Sequence, residues 1–154
     1  MTASRKRLRP GDIFVVKPRG RDYLFGRVVD VDAHALQIGG AILIYVYDAW
    51  STSKLEIPPL SRDRLLIPPV MLNRLGWSRG FMETVEHRPL DPDEVLPVHC
   101  FVSHIYAAGP RYFNERHEER PGPVEPVGTA GLASYRWLDD EISRTIGLPL
   151  APAE

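Results

Sequence analysis

Residues 41–48 read AILIYVYD, seven apolar side chains in succession followed by an aspartate. Branched and aromatic side chains of this kind favour a β-strand. Because a strand directs alternate side chains to opposite faces, a run that is apolar at every position predicts a strand covered on both faces. Such a strand belongs in the middle of a covered sheet or of a small barrel.

Two more strands are predicted upstream of this run. Residues 11–17, GDIFVVK, follow a Pro-Gly turn, and residues 23–31, YLFGRVVDV, follow a glycine-containing hairpin loop. Gly26, in the middle of the second strand, predicts a β-bulge or the close approach of another backbone. We expect Gly39 and Gly40 to turn the chain into the third strand. The three strands then form an antiparallel meander.

Proline divides the middle of the chain. There are 15 prolines in 154 residues, and each one blocks a helix interior or a central position in a sheet. Only short elements are therefore expected there. They are extended pieces at 54–57 and 64–67, each stopped by a proline pair, one helical turn at 70–75, strands at 81–86 and 98–106, an edge strand at 112–113 and a loop at 114–126.

One short helix is predicted near the C-terminus. Residues 138–146, LDDEISRTI, open with three acidic residues that complement the helix dipole, and Gly147 follows as a stop signal. Leu138, Ile142 and Ile146 are spaced four residues apart and share one face of this helix. We expect that face to dock on the sheet.

These elements predict a mainly β protein of the α+β type. The expected architecture is a small twisted antiparallel sheet, or a partly closed SH3-like barrel, that starts with the meander and carries the short C-terminal helix. A chain of 154 residues suits one domain. We interpret residues 1–9 as a basic flexible arm and residues 10–150 as the single mainly β domain.

The composition is that of an ordinary soluble globular protein, with 44% hydrophobic and 25% charged residues. No apolar run approaches the roughly 18 residues that a membrane-spanning helix needs. The basic N-terminus is not followed by the apolar core of a signal peptide. A single cysteine, Cys100, excludes an internal disulfide. We therefore expect a cytoplasmic protein without a membrane partner.

Charge is unevenly distributed along the chain. Residues 1–30 hold eight basic and three acidic side chains, whereas the remainder holds eleven basic and seventeen acidic ones. A basic arm can bind nucleic acid, but the acidic remainder opposes phosphate binding. A small β-barrel that binds nucleic acid through its arm is therefore the alternative function. Its candidate residues are Arg5, Lys6, Arg7 and Arg9.

Motifs for catalysis or metal binding are missing from the sequence. There is no GxGxxG, P-loop or GxSxG motif. The best metal candidates are His99, Cys100 and His104, but only Cys100 and His104 would share a face of a strand, which is too few ligands for a closed zinc site. We expect Cys100 to be a buried structural cysteine. The sequence thus predicts neither an enzyme nor a cofactor or metal site.

Carboxylates cluster around Pro89 and Pro92. An exposed turn of this kind does not enclose a pocket, so it is either a solvated acidic loop or an acidic patch that meets a basic partner. Among the tryptophans, Trp50 is the best placed to be an exposed anchor, because it lies just beyond the predicted strand end at Asp48. The candidate partner-binding residues are Asp48, Trp50, Asp91, Asp93 and Glu94.

Five short blocks follow one another along the chain: GDIF at 11–14, FGRV at 25–28, YVYD at 45–48, GW at 76–77 and GF at 80–81. With these blocks, roughly residues 10–105 resemble the immunity protein 26 family of bacterial polymorphic toxin systems. The blocks contain no catalytic motif. The resemblance implies a non-enzymatic protein that binds a cognate protein toxin, often a nuclease, and neutralises it by stoichiometric occlusion.

Overall fold

The computed structural model describes residues 1–152 and contains nine strands and two α-helices in that range. The strands are β1 (Asp12–Val16), β2 (Tyr23–Ala35), β3 (Ile38–Ser51), β4 (Leu65–Leu72), β5 (Glu83–His87), β6 (Cys100–Ser103), β7 (Arg111–Phe113), β8 (Glu119–Arg120) and β9 (Val127–Thr129). The helices are α1 (Leu75–Ser78) and α2 (Tyr135–Ile146), and Pro92–Glu94 forms a 3-10 turn.

The strands form two sheets, and neither sheet closes into a barrel within these residues. The central sheet has five strands in the order β4-β3-β2-β1-β5, and the second sheet has four in the order β8-β7-β6-β9. The mainly β class and the opening antiparallel meander are confirmed, whereas the barrel alternative is wrong.

The middle of β3 is covered on both faces of the central sheet. Its even-numbered residues 42–46 belong to one buried apolar cluster, and its odd-numbered residues 43–47 belong to another. Because all of these side chains are at most 7% exposed, both faces of the strand are covered. The prediction drawn from the apolar run is confirmed.

Different elements cover the two faces of the central sheet. On one face, which we call the helix side, Trp77 of α1 and Leu138 and Ile142 of α2 complete the apolar cluster. On the other face, the second-sheet side, Phe101 of β6 packs together with Leu90 and neighbouring apolar residues. The central sheet is therefore the middle of three layers.

Gly26 shows both features that its position in the sequence predicted. It pairs with Phe14 of β1, and a Cβ at Gly26 would lie 2.2 Å from Cζ of that ring and 2.7 Å from the carbonyl oxygen of Tyr45. The register with β3 also shifts next to Gly26, as in a bulge. The phenylalanine ring thus occupies the space that any other side chain would need.

The turn between β2 and β3 lies at residues 36–37, so the prediction of a turn at Gly39 and Gly40 was wrong. Leu36 takes up the left-handed conformation, with φ 58°, and both glycines belong to β3. Small side chains of this hairpin are buried against the second-sheet side, and pairing continues as far as Ala35 and Ile38. That burial lengthens both strands beyond their predicted ends.

β4 continues through Pro68 and Pro69, where the sequence predicted a stop. Amides of consecutive strand residues point to opposite sides, so the edge position explains one proline, whose missing amide lies on the outer side. The register shift opposite, between Ile44 and Val46, accommodates the other. Residues 70–72 are consequently strand, not the predicted helical turn, and helix begins only at Leu75. The one bridge on the outer side of β4 within the described residues joins Leu72 to Ala133.

Three smaller predictions also need correction. Residues 54–57 form a turn and not an extended piece. β6 is shorter than the predicted strand 98–106. β7 is internal and not an edge strand, because β8 forms within the predicted loop 114–126 and pairs with it.

α2 begins one turn earlier than predicted. The Ser134 hydroxyl accepts a hydrogen bond from the Trp137 amide (3.1 Å), which caps the helix there and moves the acidic residues out of its first turn. Gly147 ends the helix with φ 77°, as expected, and Leu138 and Ile142 are buried against the sheet. Neither α2 nor the other helix in residues 1–152 is long and apolar enough to cross a membrane.

Candidate partner-binding surface

Arg27 of β2 is a buried cation that organises one surface of the molecule. Its side chain is 2% exposed, and its guanidinium donates to the Glu94 carboxylate (Nη1 to Oε2, 2.6 Å) and to the Arg88 carbonyl (Nη2 to O, 2.6 Å). A longer bond reaches the carbonyl of Gly11 (Nε to O, 3.4 Å). One side chain thereby ties the first two strands to the segment that follows β5.

That segment, residues 88–94, is called the acidic segment below. Glu94 closes it, because its Oε1 accepts from the Asp91 amide (2.9 Å) while its Oε2 accepts from Arg27. Leu90 anchors the segment to the apolar cluster on the second-sheet side. Asp91 and Asp93 are exposed. The fold therefore fixes the backbone of the segment and leaves two carboxylates in solvent.

The charge of Glu94 is stabilised by its two partners. Burial alone would raise the pKa of the Glu94 carboxyl, but the Asp91 amide and the Arg27 guanidinium outweigh burial and hold that pKa below its usual 4.5. The hydroxyl of Tyr47 lies beside the same guanidinium, and burial raises its pKa. Glu94 is thus an ionised anchor of the segment.

Asp48 and Trp50 lie on the opposite side of the central sheet. The Trp50 indole donates to the Asp48 carboxylate (Nε1 to Oδ1, 2.8 Å). Trp50 is half-buried against the helix-side cluster, whereas the acidic segment packs on the second-sheet side. The structure brings Asp91, Asp93 and Glu94 together and separates them from Asp48 and Trp50.

The basic residues of the arm lie next to α1 and β5. Residues 1–9 form neither helix nor strand, and the amide of Ser4 donates to the Trp77 carbonyl (2.9 Å). The Arg74 guanidinium donates to the carbonyls of Arg5 (2.9 Å) and Lys6 (2.6 Å). The division into a flexible arm and one domain, like the binding of nucleic acid by this arm, stays a prediction.

The metal candidates His99, Cys100 and His104 do not converge. Cys100 is buried, as expected, and His104 is exposed beyond the end of β6. His99 is buried and has other partners. No group of three or more His, Cys, Asp or Glu residues in the described part of the chain is placed to hold a metal ion.

His99 belongs to a buried chain of hydrogen bonds between the layers. The Leu96 amide donates to the Tyr45 hydroxyl (3.0 Å), and that hydroxyl is hydrogen-bonded to Nε2 of His99 (2.6 Å). Nδ1 then donates to Glu115 (3.3 Å). The bond from His99 lowers the pKa of Glu115, and burial raises the pKa of Tyr45 to about 12. These groups fasten β3 to the second sheet.

The sequence analysis missed Arg27, although the sequence contains a signal for it. YLFGRVVDV has one basic residue inside a strand that was predicted next to a strand covered on both faces. A guanidinium in such a place needs a buried counter-charge. The signal does not identify the partner, since Glu94 is 67 residues away.

We expect Arg27→Met to lower the free energy of unfolding by about 3 kcal/mol, because it removes the charged donor from the Glu94 carboxylate and from the Arg88 carbonyl. Arg88→Met is the control, since it removes an exposed ion pair with Glu86 and should cost less than about 1 kcal/mol. Urea unfolding followed by tryptophan fluorescence measures both. Equal losses for the two variants would contradict the role of Arg27.

The contribution of Glu94 to stability should depend on pH in a defined direction. Its pKa is lowered in the folded state, so the carboxylate stabilises the fold above its usual pKa of 4.5, and this stabilisation is lost as pH falls through the lower folded value. We expect the difference in unfolding free energy between the wild type and Glu94→Gln to be constant from pH 7 to about 5 and to shrink at lower pH.

The control for this experiment is Glu56→Gln, which alters an exposed carboxylate that has no ion pair among residues 1–152. The difference in unfolding free energy between this variant and the wild type should stay near zero across the same pH range. A Glu94→Gln difference that grows as pH falls would contradict the assigned sign.

A comparison with family models matches residues 9–108 to the model described as Immunity protein 26. Comparisons with curated proteins and with solved structures give no match. The matched residues run from the start of β1 past the end of β6 and include Arg27 and the acidic segment. Because the match covers well over half of the chain, the resemblance noted in the sequence is confirmed, and this chain belongs to the immunity protein 26 family.

Proposed function

We propose that this chain binds a protein toxin in a one-to-one complex and neutralises it by covering the surface that the toxin needs. Membership of the immunity protein 26 family supports an immunity role. Occlusion requires a stable exterior of the right shape and charge, and it requires no reaction on the chain itself. We further propose that the chain acts in the bacterial cytoplasm as part of a polymorphic toxin system.

The size of the molecule is sufficient for this role. Near-complete occupancy of a toxin calls for nanomolar affinity, on the order of −12 kcal/mol. A standard interface buries about 800 Å² on each partner. The chain exposes 8481 Å², so roughly one tenth of its surface is enough.

The observation that carries the proposal is the acidic segment, which an ion pair with the buried Arg27 fixes while the carboxylates of Asp91 and Asp93 stay in solvent. The bonds from Arg27 to Glu94 and to the Arg88 carbonyl order this backbone before a partner arrives, which reduces the entropy lost on binding. Asp91 and Asp93 suit a basic cleft of the kind that binds nucleic-acid phosphates. We therefore propose a toxin with a basic cleft, such as a nuclease.

Asp48 and Trp50 fall outside this proposed contact. They lie on the helix side, where Trp50 packs against the core and donates to Asp48. A single interface of standard size centred on the acidic segment does not extend around the central sheet to reach them. We assign them to the packing of that side.

Stoichiometry distinguishes occlusion from catalysis. When a fixed amount of the toxin encoded beside this chain is titrated with the chain, toxin activity should fall linearly and reach zero at one equivalent. The complex should then elute as a single species of one-to-one composition. Loss of toxin activity at a small fraction of an equivalent would indicate an enzyme and contradict the proposal, as would full activity at an excess of the chain.

The role of the acidic segment in toxin binding is tested by the double variant Asp91→Asn/Asp93→Asn. We expect at least about a tenfold lower association rate with the toxin at low salt, because two steering charges are removed while the anchor Glu94 is kept. The difference should shrink near 0.5 M salt, where the Debye length is only a few ångströms, about 4 Å. Association rates are measured on immobilised toxin at both salt concentrations.

Asp22→Asn/Asp63→Asn is the matched control, since it removes two other exposed carboxylates and the same net charge. A loss of association rate equal to that of Asp91→Asn/Asp93→Asn would show an effect of net charge alone. Such a result would remove the acidic segment from the proposed interface.

A further inference from the structure

β5 forms one edge of the central sheet, with β1 as its neighbour on the inner side. Among residues 1–152, no backbone hydrogen bond joins the outer side of β5 to another segment. Thr84 and Glu86 are exposed on this strand. An unpaired strand edge presents free amides and carbonyls to which another extended chain can add.

A groove runs along this edge. The arm lines one wall and β5 lines the other, Trp77 of α1 also contributes to the lining, and the volume of the groove is about 510 Å³. The arm is bonded to α1 through Ser4 and Arg74, and not to β5, which keeps the groove open. Five strand residues extend over about 17 Å, so the edge offers a length that suits a segment of five or six residues.

The uncompensated charge of the groove is positive. On the β5 wall, Glu83 is paired with Lys54 (2.9 Å) and Glu86 is paired with Arg88. On the arm wall, the side chains of Lys6 and Arg7 have no ion pair or hydrogen bond within the described part of the chain. The groove therefore complements an extended segment with acidic side chains.

We propose that this groove receives an extended acidic segment of a partner protein, which pairs with β5 as a sixth strand and directs carboxylates towards Lys6 and Arg7. The inference rests on the proposed function, because that partner is the toxin. The groove is continuous with the acidic segment, which begins at Arg88 directly after β5 ends. The toxin would then contribute an acidic strand beside its basic cleft.

The experiment uses the full chain and a blocked hexapeptide, EVEVEV, in place of the toxin. Backbone hydrogen exchange at residues 83–87 is measured with and without the peptide at millimolar concentration. Two control peptides separate the requirement for acidic side chains from the requirement for backbone pairing. KVKVKV has the opposite charge, and EPEPEP keeps the charge but lacks amides at alternate positions.

We expect EVEVEV to slow exchange in β5 by about tenfold or more, with little effect of either control peptide. Lys6→Glu/Arg7→Glu should weaken binding of EVEVEV by about tenfold. Arg5→Glu is the control for one charge reversal in the arm outside the groove, and it should change binding much less than Lys6→Glu alone or Arg7→Glu alone. Circular dichroism confirms that each variant is folded.

Several results would overturn the inference. They are unchanged exchange in β5 with EVEVEV, equal protection by KVKVKV or EPEPEP, equal protection by a single-stranded oligonucleotide, and a dimer in sedimentation whose β5 amides are protected without any peptide. Because the assay contains no toxin, it also separates the two proposals. Toxin neutralisation without peptide binding would contradict only this inference. Peptide binding without toxin neutralisation would contradict only the proposed function.

Discussion

A guanidinium remains protonated throughout the physiological pH range, so Arg27 carries a full charge inside a nearly solvent-free site. Such a charge is tolerated only when its donors are matched by acceptors. Here the acceptors are the Glu94 carboxylate and the backbone carbonyls of Gly11, just before β1, and of Arg88, just after β5. The requirement to satisfy one buried cation thereby determines where the chain goes after β5 and which carboxylates it leaves in solvent.

The three-layer architecture limits where a partner can bind. Both faces of the central sheet are covered, by helices on one side and by the second sheet with its preceding segment on the other. The family match ends at residue 108, yet Leu138 and Ile142 from beyond it complete the helix-side cluster. In this chain residues beyond the family match therefore complete the core of the family region.

Local pattern predicted the meander well, because alternation and apolar runs are properties of neighbouring residues. β1, β2 and β3 all appear where the apolar residues placed them. The errors arose where tertiary context decides. Glycine at 39 and 40 suggested a turn, but burial of the hairpin moved the turn to residues 36–37. β4 passes through two prolines because it lies at an edge and its register with β3 shifts there. The bond from Arg27 to Glu94 joins residues that are 67 positions apart in the sequence. Local sequence pattern cannot identify a partner at that separation.

Backbone hydrogen exchange of the chain, free and in complex with the proposed toxin, tests the central claim most directly. The account predicts that protection is concentrated in residues 83–94, from β5 through the acidic segment, while residues 104–110 between β6 and β7 exchange as in the free chain. Protection confined to the β6–β7 connection or to the outer face of α2, with residues 83–94 unchanged, would contradict it.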